Sequence, residues 1–156
     1  FFECLKKIKN ENIEFKLIIL GEEFHTEMDV FTKSRKYFSN EIIHMGYAKS
    51  FSEYASLINK SDILPVTTKQ EFFGVSVIEA IYCDVFPILP NRLTYPELFN
   101  SDKNPDNFYQ DSDDLFIKLK ECVVNNTKES LRQYSNKYKW SKIAKDYDNI
   151  IQKVIR

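Results

Sequence analysis

The sequence predicts an α/β domain with a Rossmann-like, mostly parallel sheet, helices on both of its faces and a helical C-terminal tail. Three observations carry that prediction. Short apolar, β-branched runs alternate with amphipathic stretches of roughly ten residues. The runs are apolar throughout instead of alternating, as strands covered on both faces are. They also stop at turn residues, and such alternation implies βαβ units with right-handed crossovers. With 156 residues the chain is the size of one domain, residues 1–99 reading as βα units and 100–156 as mainly helical. No linker, repeat or low-complexity segment interrupts it.

Taken in order, Phe1, Phe2, Leu5 and Ile8 recur at helical spacing and end in the polar Lys9–Asn12, the tail of an amphipathic helix. The chain opens inside this pattern, without a cap or an initiating methionine, and so reads as a piece of something longer. Phe15–Leu20 is a strand stopped by Gly21, and Met28, Phe31, Arg35 and Phe38 mark a weaker helix over Glu27–Phe38. Glu41–Met45 is a brief strand stopped by Gly46. Ser50-Phe51-Ser52-Glu53 fits a capping box, serine to an early helical N–H and glutamate back to the cap, opening a helix over Phe51–Lys60. Asp62–Val66 is the next strand, and Val85–Leu89 another beside prolines. Tyr95–Phe99 is a helical turn, Ser101–Asp106 a loop, and Asp111–Asp114 an acidic start, favourable to the helix dipole, for a helix over Leu115–Val124. Helices over Lys128–Tyr138 and Ser141–Ile155 follow. On the last, Ile143, Ala144, Tyr147, Ile150, Ile151 and Val154 continue a stripe from Trp140 that reads as a packing face.

The bulk numbers exclude several classes. With 22 basic against 23 acidic side chains the net charge is −1, so the overall field calls for neither nucleic acid nor an anionic membrane. No apolar run approaches the roughly 20 residues of a membrane span, and no signal peptide is present. Three cysteines (Cys4, Cys83, Cys122), odd in number and set in apolar contexts, suit reduced core thiols in a cytoplasmic protein and match no metal spacing. In that setting the formal sequon Asn125-Asn126-Thr127 means nothing.

The functional signal lies between Lys69 and Glu79, Lys-Gln-Glu-Phe-Phe-Gly-Val-Ser-Val-Ile-Glu. Glu71 precedes an aromatic-aromatic-glycine corner, and Glu79 is the one charge in the apolar run Val75–Cys83. An unpartnered buried carboxylate costs several kcal/mol, so Glu79 either reaches solvent or is held for a ligand with hydroxyls or cations. A strand, a glycine turn and a helix N-terminus form an anion site, with the N–H groups of Phe73, Gly74 and Val75 pointing outward. Ligands in such sheets bind beyond the carboxyl ends of the strands, where Gly21, Gly46 and the Thr67–Phe73 loop all fall. Carboxylates repel phosphate and suit sugar hydroxyls. A phosphate site edged by hydroxyl acceptors describes a nucleotide sugar.

Glu71-Phe72-Phe73-Gly74-Val75-Ser76-Val77-Ile78-Glu79-Ala80 also matches the E-x7-E signature, with its F-G pair, of retaining glycosyltransferases of GT-B architecture, family 4. Phe86-Pro87-Ile88-Leu89 looks like that family's next strand. The run from Glu71 through Pro90-Asn91-Arg92-Leu93-Thr94-Tyr95-Pro96-Glu97-Leu98, with Leu20-Gly21-Glu22 and His44-Met45-Gly46-Tyr47, resembles a narrower branch, the tRNA-queuosine mannosyltransferases. The resemblance covers Phe1 to about Phe99; the later helices match only in type. It implies the C-terminal, donor-binding half of a GT-B enzyme with its first strand missing, a nucleotide-sugar donor (GDP-mannose), a tRNA acceptor met through an absent N-terminal domain, and no metal or other cofactor. By position it implies that Glu71 meets the donor sugar and that the backbone at Phe72, Phe73, Gly74 and Val75 faces sugar and diphosphate. Glu79 would clamp the ribose diol, and Gly21, Glu22, Gly46 and Tyr47 would line the nucleotide side.

Two departures accompany it. Asp84 stands where the family has glycine at a helix end, and aspartate tolerates the left-handed turn at some cost. The family's diphosphate-neutralising arginine and lysine would lie upstream of Phe1, so the 156 residues alone are expected to fold poorly or bind donor weakly, and to transfer nothing.

Blander roles compete at several positions. His25 and His44 read as ordinary polar or packing residues, having no paired carboxylate at fixed spacing. Trp140 and the tyrosine-rich tail read as core or interdomain packing, the family's last helix crossing back toward the N-terminal domain. Lys6, Lys7 and Lys9 form a solvated helix face; Lys69 and Arg92 flank the corner and either touch phosphate or tRNA or face solvent. Two rivals to a transferase are a non-catalytic sugar-nucleotide or protein-binding module of the same fold and a receiver-like regulatory domain. The second is disfavoured because no acidic pair beyond Glu22-Glu23 follows the first strand.

Overall fold

The computed structural model describes residues 1–21, 29–125 and 130–155. In chain order the elements are helix α1 (Phe2–Asn10), strand β1 (Leu17–Leu20), α2 (Asp29–Tyr37), β2 (Ile42–Gly46), α3 (Phe51–Asn59), β3 (Ile63–Pro65), α4 (Val75–Tyr82), β4 (Phe86–Pro90) and α5 (Tyr95–Phe99). A 3-10 turn (Pro105–Asn107) leads into β5 (Phe108–Tyr109), followed by α6 (Ser112–Asn125), α7 (Arg132–Ser135), a second 3-10 turn (Asn136–Tyr138) and α8 (Trp140–Val154). The predicted alternation is therefore present. The expected start of α2 at Glu27 and Met28, the beginning of the Lys128–Tyr138 helix, and Asn126 and Thr127 of the sequon lie outside the described residues.

All strand pairs are parallel, but the ladder is in two pieces, β1-β2 and β3-β4-β5, with no pairing between β1 and β3. The two pieces nonetheless share their covering layers. On one face Leu17, Phe86 and Ile88 pack with Cys4, Leu5 and Ile8 of α1, Phe38 after α2, and Leu115 and Leu119 of α6. On the other, Leu20 and Leu64 pack with Ile58 of α3 and Ala80 of α4, while Leu89 and Phe108 pack with Ile78, Ile81, Tyr95 and Phe99. Neighbouring residues of β4 thus serve opposite cores, as the pleat requires. That places helices on both faces.

Central strand β4 carries two prolines, and the structure compensates for each. Because Val66 donates to the Ile88 carbonyl at 2.9 Å, the next ladder bond would run from residue 90 to the Val66 carbonyl, and Pro90 has no N–H to give. The Tyr109 hydroxyl supplies it instead, at 2.8 Å. Pro87 faces the side that β5 reaches only from Leu89 onward, and its carbonyl accepts from the Asn107 side-chain amide at 2.9 Å. Pro87 and its partner Asn107 are both buried.

Two helix starts are capped by side chains, at α3 and α6. Ser50 Oγ accepts from Glu53 N at 3.1 Å, but the Glu53 carboxylate accepts from Lys49 N at 2.5 Å, one residue before the cap expected for it. Asp111 Oδ1 caps α6 through the N–H groups of Asp113 and Asp114, both at 3.0 Å. At the end of α4, Asp84 adopts φ 62°, the left-handed turn expected where a glycine is usual. Its carboxylate accepts from Ser130 Oγ at 2.6 Å and pairs with Arg132 at 2.8 Å, clipping α4 to α7.

Three expectations need correcting. β5 was not foreseen, being two residues inside a proline-containing polar stretch. The helix expected to reach Tyr138 is, in its described part, a four-residue α-helix and a 3-10 turn. Of the core and interdomain packing expected for the α8 stripe, the core part is overturned: no residue of α8 is buried, and Trp140 is 77% exposed.

Candidate functional site

The corner forms because Gly74 is the N-cap of α4 at φ 81°, ψ 45°, a conformation open to glycine and costly for other residues. The Gly74 carbonyl closes the first turn with Val77 N and Ile78 N, both at 3.0 Å. The N–H groups of Gly74, Val75 and Ser76 have no partner among the described residues, the arrangement that makes a helix start attractive to anions. Phe73 N–H does not join them. It donates to Glu71 Oε1 at 3.3 Å, which also accepts from Phe72 N at 2.9 Å, so the donors without a partner among the described residues run from Gly74 to Ser76. The physical reason is local: a carboxylate two residues before the amide folds back onto it more readily than solvent reaches it.

Glu71 Oε2 accepts from the Tyr95 hydroxyl at 3.3 Å. Tyr95 is wholly buried, and burial, reinforced by Glu71, pushes its phenol above the usual range, so it remains an O–H donor. Glu79 lies on the second turn of α4, half-buried, with Oε2 accepting from the Tyr54 hydroxyl of α3 at 2.7 Å. Both carboxylates of the signature are thus held by a tyrosine from a different element. Neither tyrosine is singled out by spacing along the chain. The only sequence cue was their position in helices flanking the corner.

The aromatic pair divides. Phe72 is 97% exposed, while Phe73 turns its edge to Tyr138 with ring centroids 5.0 Å apart. Arg92 follows β4 and donates to the Thr68 carbonyl at 3.2 Å, its guanidinium lying 5.9 Å from the Tyr109 ring centroid. It therefore stands beside the loop that leads to Glu71. Lys69 is exposed.

Gly21 and Gly46 meet at the carboxyl ends of β1 and β2 through a 3.2 Å backbone bond, with Tyr47 exposed beside them. Gly46 has φ 127°, whereas a side chain at Gly21 would meet only open space. Among the described residues no hydrogen bond or ring contact joins Gly21, Gly46 or Tyr47 to the Glu71–Glu79 corner. Glu22 and His25 lie outside the described residues; His44 Nε2 sits 3.3 Å from the Gly46 carbonyl. Among the described residues no three His, Cys, Asp or Glu side chains cluster as metal ligands, and no helix is long and apolar enough to cross a membrane.

Comparison with known proteins finds relatives of this chain. A tRNA-queuosine alpha-mannosyltransferase of Drosophila melanogaster is 30% identical over 117 residues, 75% of this chain and 30% of the relative. A probable sucrose-phosphate synthase of Thermosipho melanesiensis is 28% identical over 103 residues, 64% of this chain and 24% of the relative. A GDP-mannose:cellobiosyl-diphosphopolyprenol alpha-mannosyltransferase of Komagataeibacter xylinus is 22% identical over 167 aligned positions, 99% of this chain and 41% of the relative. The chain spans between 24% and 41% of the length of these relatives. The family model for glycosyl transferases group 1 matches residues 1–140, which takes in the strands, the corner and both carboxylates. By that match and by its parallel α/β architecture, this chain belongs to the glycosyl transferases group 1 family, as a GT-B-type domain.

Proposed function

We propose that this chain is the donor-binding half of a retaining glycosyltransferase that takes mannose from GDP-mannose, with queuosine in tRNA as its acceptor. The observation that carries the donor part is the corner itself: two carboxylates separated by three unpartnered N–H groups at the start of a helix. Glu71 accepts hydrogen bonds from the sugar hydroxyls, its carboxylate braced by Phe72 N–H and Tyr95 O–H. Gly74, Val75 and Ser76 N–H groups and the α4 dipole bear the diphosphate, whose charge grows as the sugar leaves. Glu79 receives the ribose diol. Gly21, Glu22, Gly46 and Tyr47 form the nucleotide side, and no metal is required. The mannose, GDP and tRNA assignments rest on the Asn91–Leu98 run and on the likeness to the Drosophila relative. The apolar face of α8, with Trp140 exposed, packs on the remainder of the longer polypeptide.

Calorimetric titration of the full-length protein with GDP, UDP and ADP tests this reading. GDP binds most tightly, Glu79→Ala weakens that binding, and Glu71→Ala abolishes transfer while GDP still binds. A preference for UDP removes the mannosyl assignment and leaves the family intact. Unchanged transfer and binding in both variants removes the donor-site assignment altogether.

A further inference from the structure

Tyr54 enters the α3–α4 contact in a specific way. Its ring packs with Ile58, Ala80 and Val85, the cluster that also holds Leu20, Leu64 and Cys83, and it lies 6.2 Å from the exposed Phe51 ring. That packing leaves the hydroxyl one direction, toward Glu79 Oε2 at 2.7 Å. At that length the bond is an ordinary O–H···O contact. Burial, with Glu79 next, raises the Tyr54 phenol above its usual range, so the hydroxyl remains the donor. No other hydrogen bond holds the Glu79 side chain among the described residues. A glutamate has three side-chain torsions, and on a helix surface several rotamers are open to it. With Oε2 tied to the packed Tyr54, the carboxylate has fewer orientations open to it, and Oε1 keeps both of its lone pairs.

We propose that Tyr54 is a positioning residue that aims Glu79 Oε1 at the vicinal diol of the donor's ribose, and so sets the preference for ribonucleotides over 2′-deoxyribonucleotides. The inference rests on the reading of Glu79 given above. A vicinal diol offers two O–H donors on adjacent carbons, and one carboxylate oxygen held still accepts from both, whereas a rotating carboxylate satisfies them only part of the time. An ordering effect of this kind appears as selectivity, because it acts only through the hydroxyls. A purely structural Tyr54, fastening α3 to α4, would change stability and weaken all nucleotides alike.

The test titrates the full-length protein with GDP, UDP and ADP, each against its 2′-deoxy form, in the wild type and in the Tyr54→Phe and Glu79→Ala variants. Tyr54→Phe keeps the ring and its packing while removing the bond. The wild type should prefer the ribonucleotide by about tenfold, the scale of a hydrogen bond to a charged group. Tyr54→Phe should lose most of that preference while its affinity for the 2′-deoxynucleotide stays within about twofold of wild type. Glu79→Ala should lose the preference entirely. If Glu79→Ala loses it and Tyr54→Phe keeps it, the positioning role is overturned and the reading of Glu79 stands. Retention of the preference in Glu79→Ala, or failure of all three nucleotides to bind the wild type, overturns the donor reading and this inference with it. Equal loss of both nucleotide forms in Tyr54→Phe marks a structural tyrosine and also overturns the proposal.

Discussion

The Cβ that Gly74 lacks would stand 3.2 Å from Cε1 of Tyr95, the same buried tyrosine whose hydroxyl reaches Glu71. One ring thus limits the size of the residue at the helix start and braces the carboxylate before it. Gly74→Ala meets both this contact and a left-handed backbone at φ 81°. The backbone alone costs about 1–2 kcal/mol, and displacing Tyr95 adds to it. Urea unfolding of the variant should show a loss of at least about 1 kcal/mol. A midpoint equal to wild type would mean that the corner relaxes without strain.

Tyr95→Phe keeps the buried ring and deletes the hydroxyl bond to Glu71 Oε2. Glu71 retains the Phe72 and Phe73 N–H groups, so stability should fall by only about 1 kcal/mol. On the proposed reading of Glu71, sugar transfer by the full-length protein should slow several-fold with GDP affinity unchanged. Steady-state kinetics alongside calorimetry separate the two. A drop in GDP affinity equal to the drop in rate would count against that division of labour.

Asp84 combines a strained backbone with two side-chain bonds, and its substitutions separate those effects. Asp84→Gly relieves the φ 62° strain while losing Ser130 and Arg132; Asp84→Ala loses the bonds and keeps the strain. Thermal melting should therefore rank wild type near Asp84→Gly and well above Asp84→Ala, the two variants differing by about 1 kcal/mol.

The same carboxylate gives the joint a pH dependence. The Ser130 hydrogen bond, and then Arg132, hold the Asp84 carboxyl below the ordinary aspartate range. A depressed folded value means the stabilisation is complete above the unfolded pKa of about 3.9 and is lost as pH falls through the folded one. Asp84→Asn should flatten that acid arm of a melting-temperature profile. The contribution is small, because the group is exposed and solvent screens it.

Asn107→Ala removes the amide that satisfies the Pro87 carbonyl inside β4. A buried acceptor left without a donor costs about 1–3 kcal/mol. Chemical denaturation should report a loss in that range, and a value near zero would mean that water enters to replace the amide.

Much of this architecture was legible beforehand because apolar runs and glycine or proline stops are local signals. Phe15–Leu20 and Glu41–Met45 were located to within two residues of β1 and β2, and Gly74 at the start of α4 follows from one glycine before an apolar helix. What spacing does not carry is pairing across elements. Tyr54 and Glu79 lie 25 positions apart, and only the packing of α3 on α4 brings them together. A two-residue strand such as Phe108–Tyr109 has no period to detect. Nor does a helical stripe name its cover: the periodicity on α8 correctly marks an apolar face, and the described residues leave it open to solvent.

The bond from Tyr109 to Val66 has a kinetic meaning as well. Val66 is the last buried residue before the corner loop, and among the described residues its carbonyl is satisfied by a side chain 43 positions later. Contacts of such long separation close late, after the entropy of the intervening loop has been overcome. The Thr67–Phe73 loop should therefore acquire its final shape only once Phe108–Tyr109 has docked. In native-state hydrogen exchange, opening of that short strand should expose the Asn91 amide, which donates to the Tyr109 carbonyl, while the Val66 amide stays protected by its bond to Ile88. Docking of that strand would then be the latch that sets the loop carrying Glu71 into the corner.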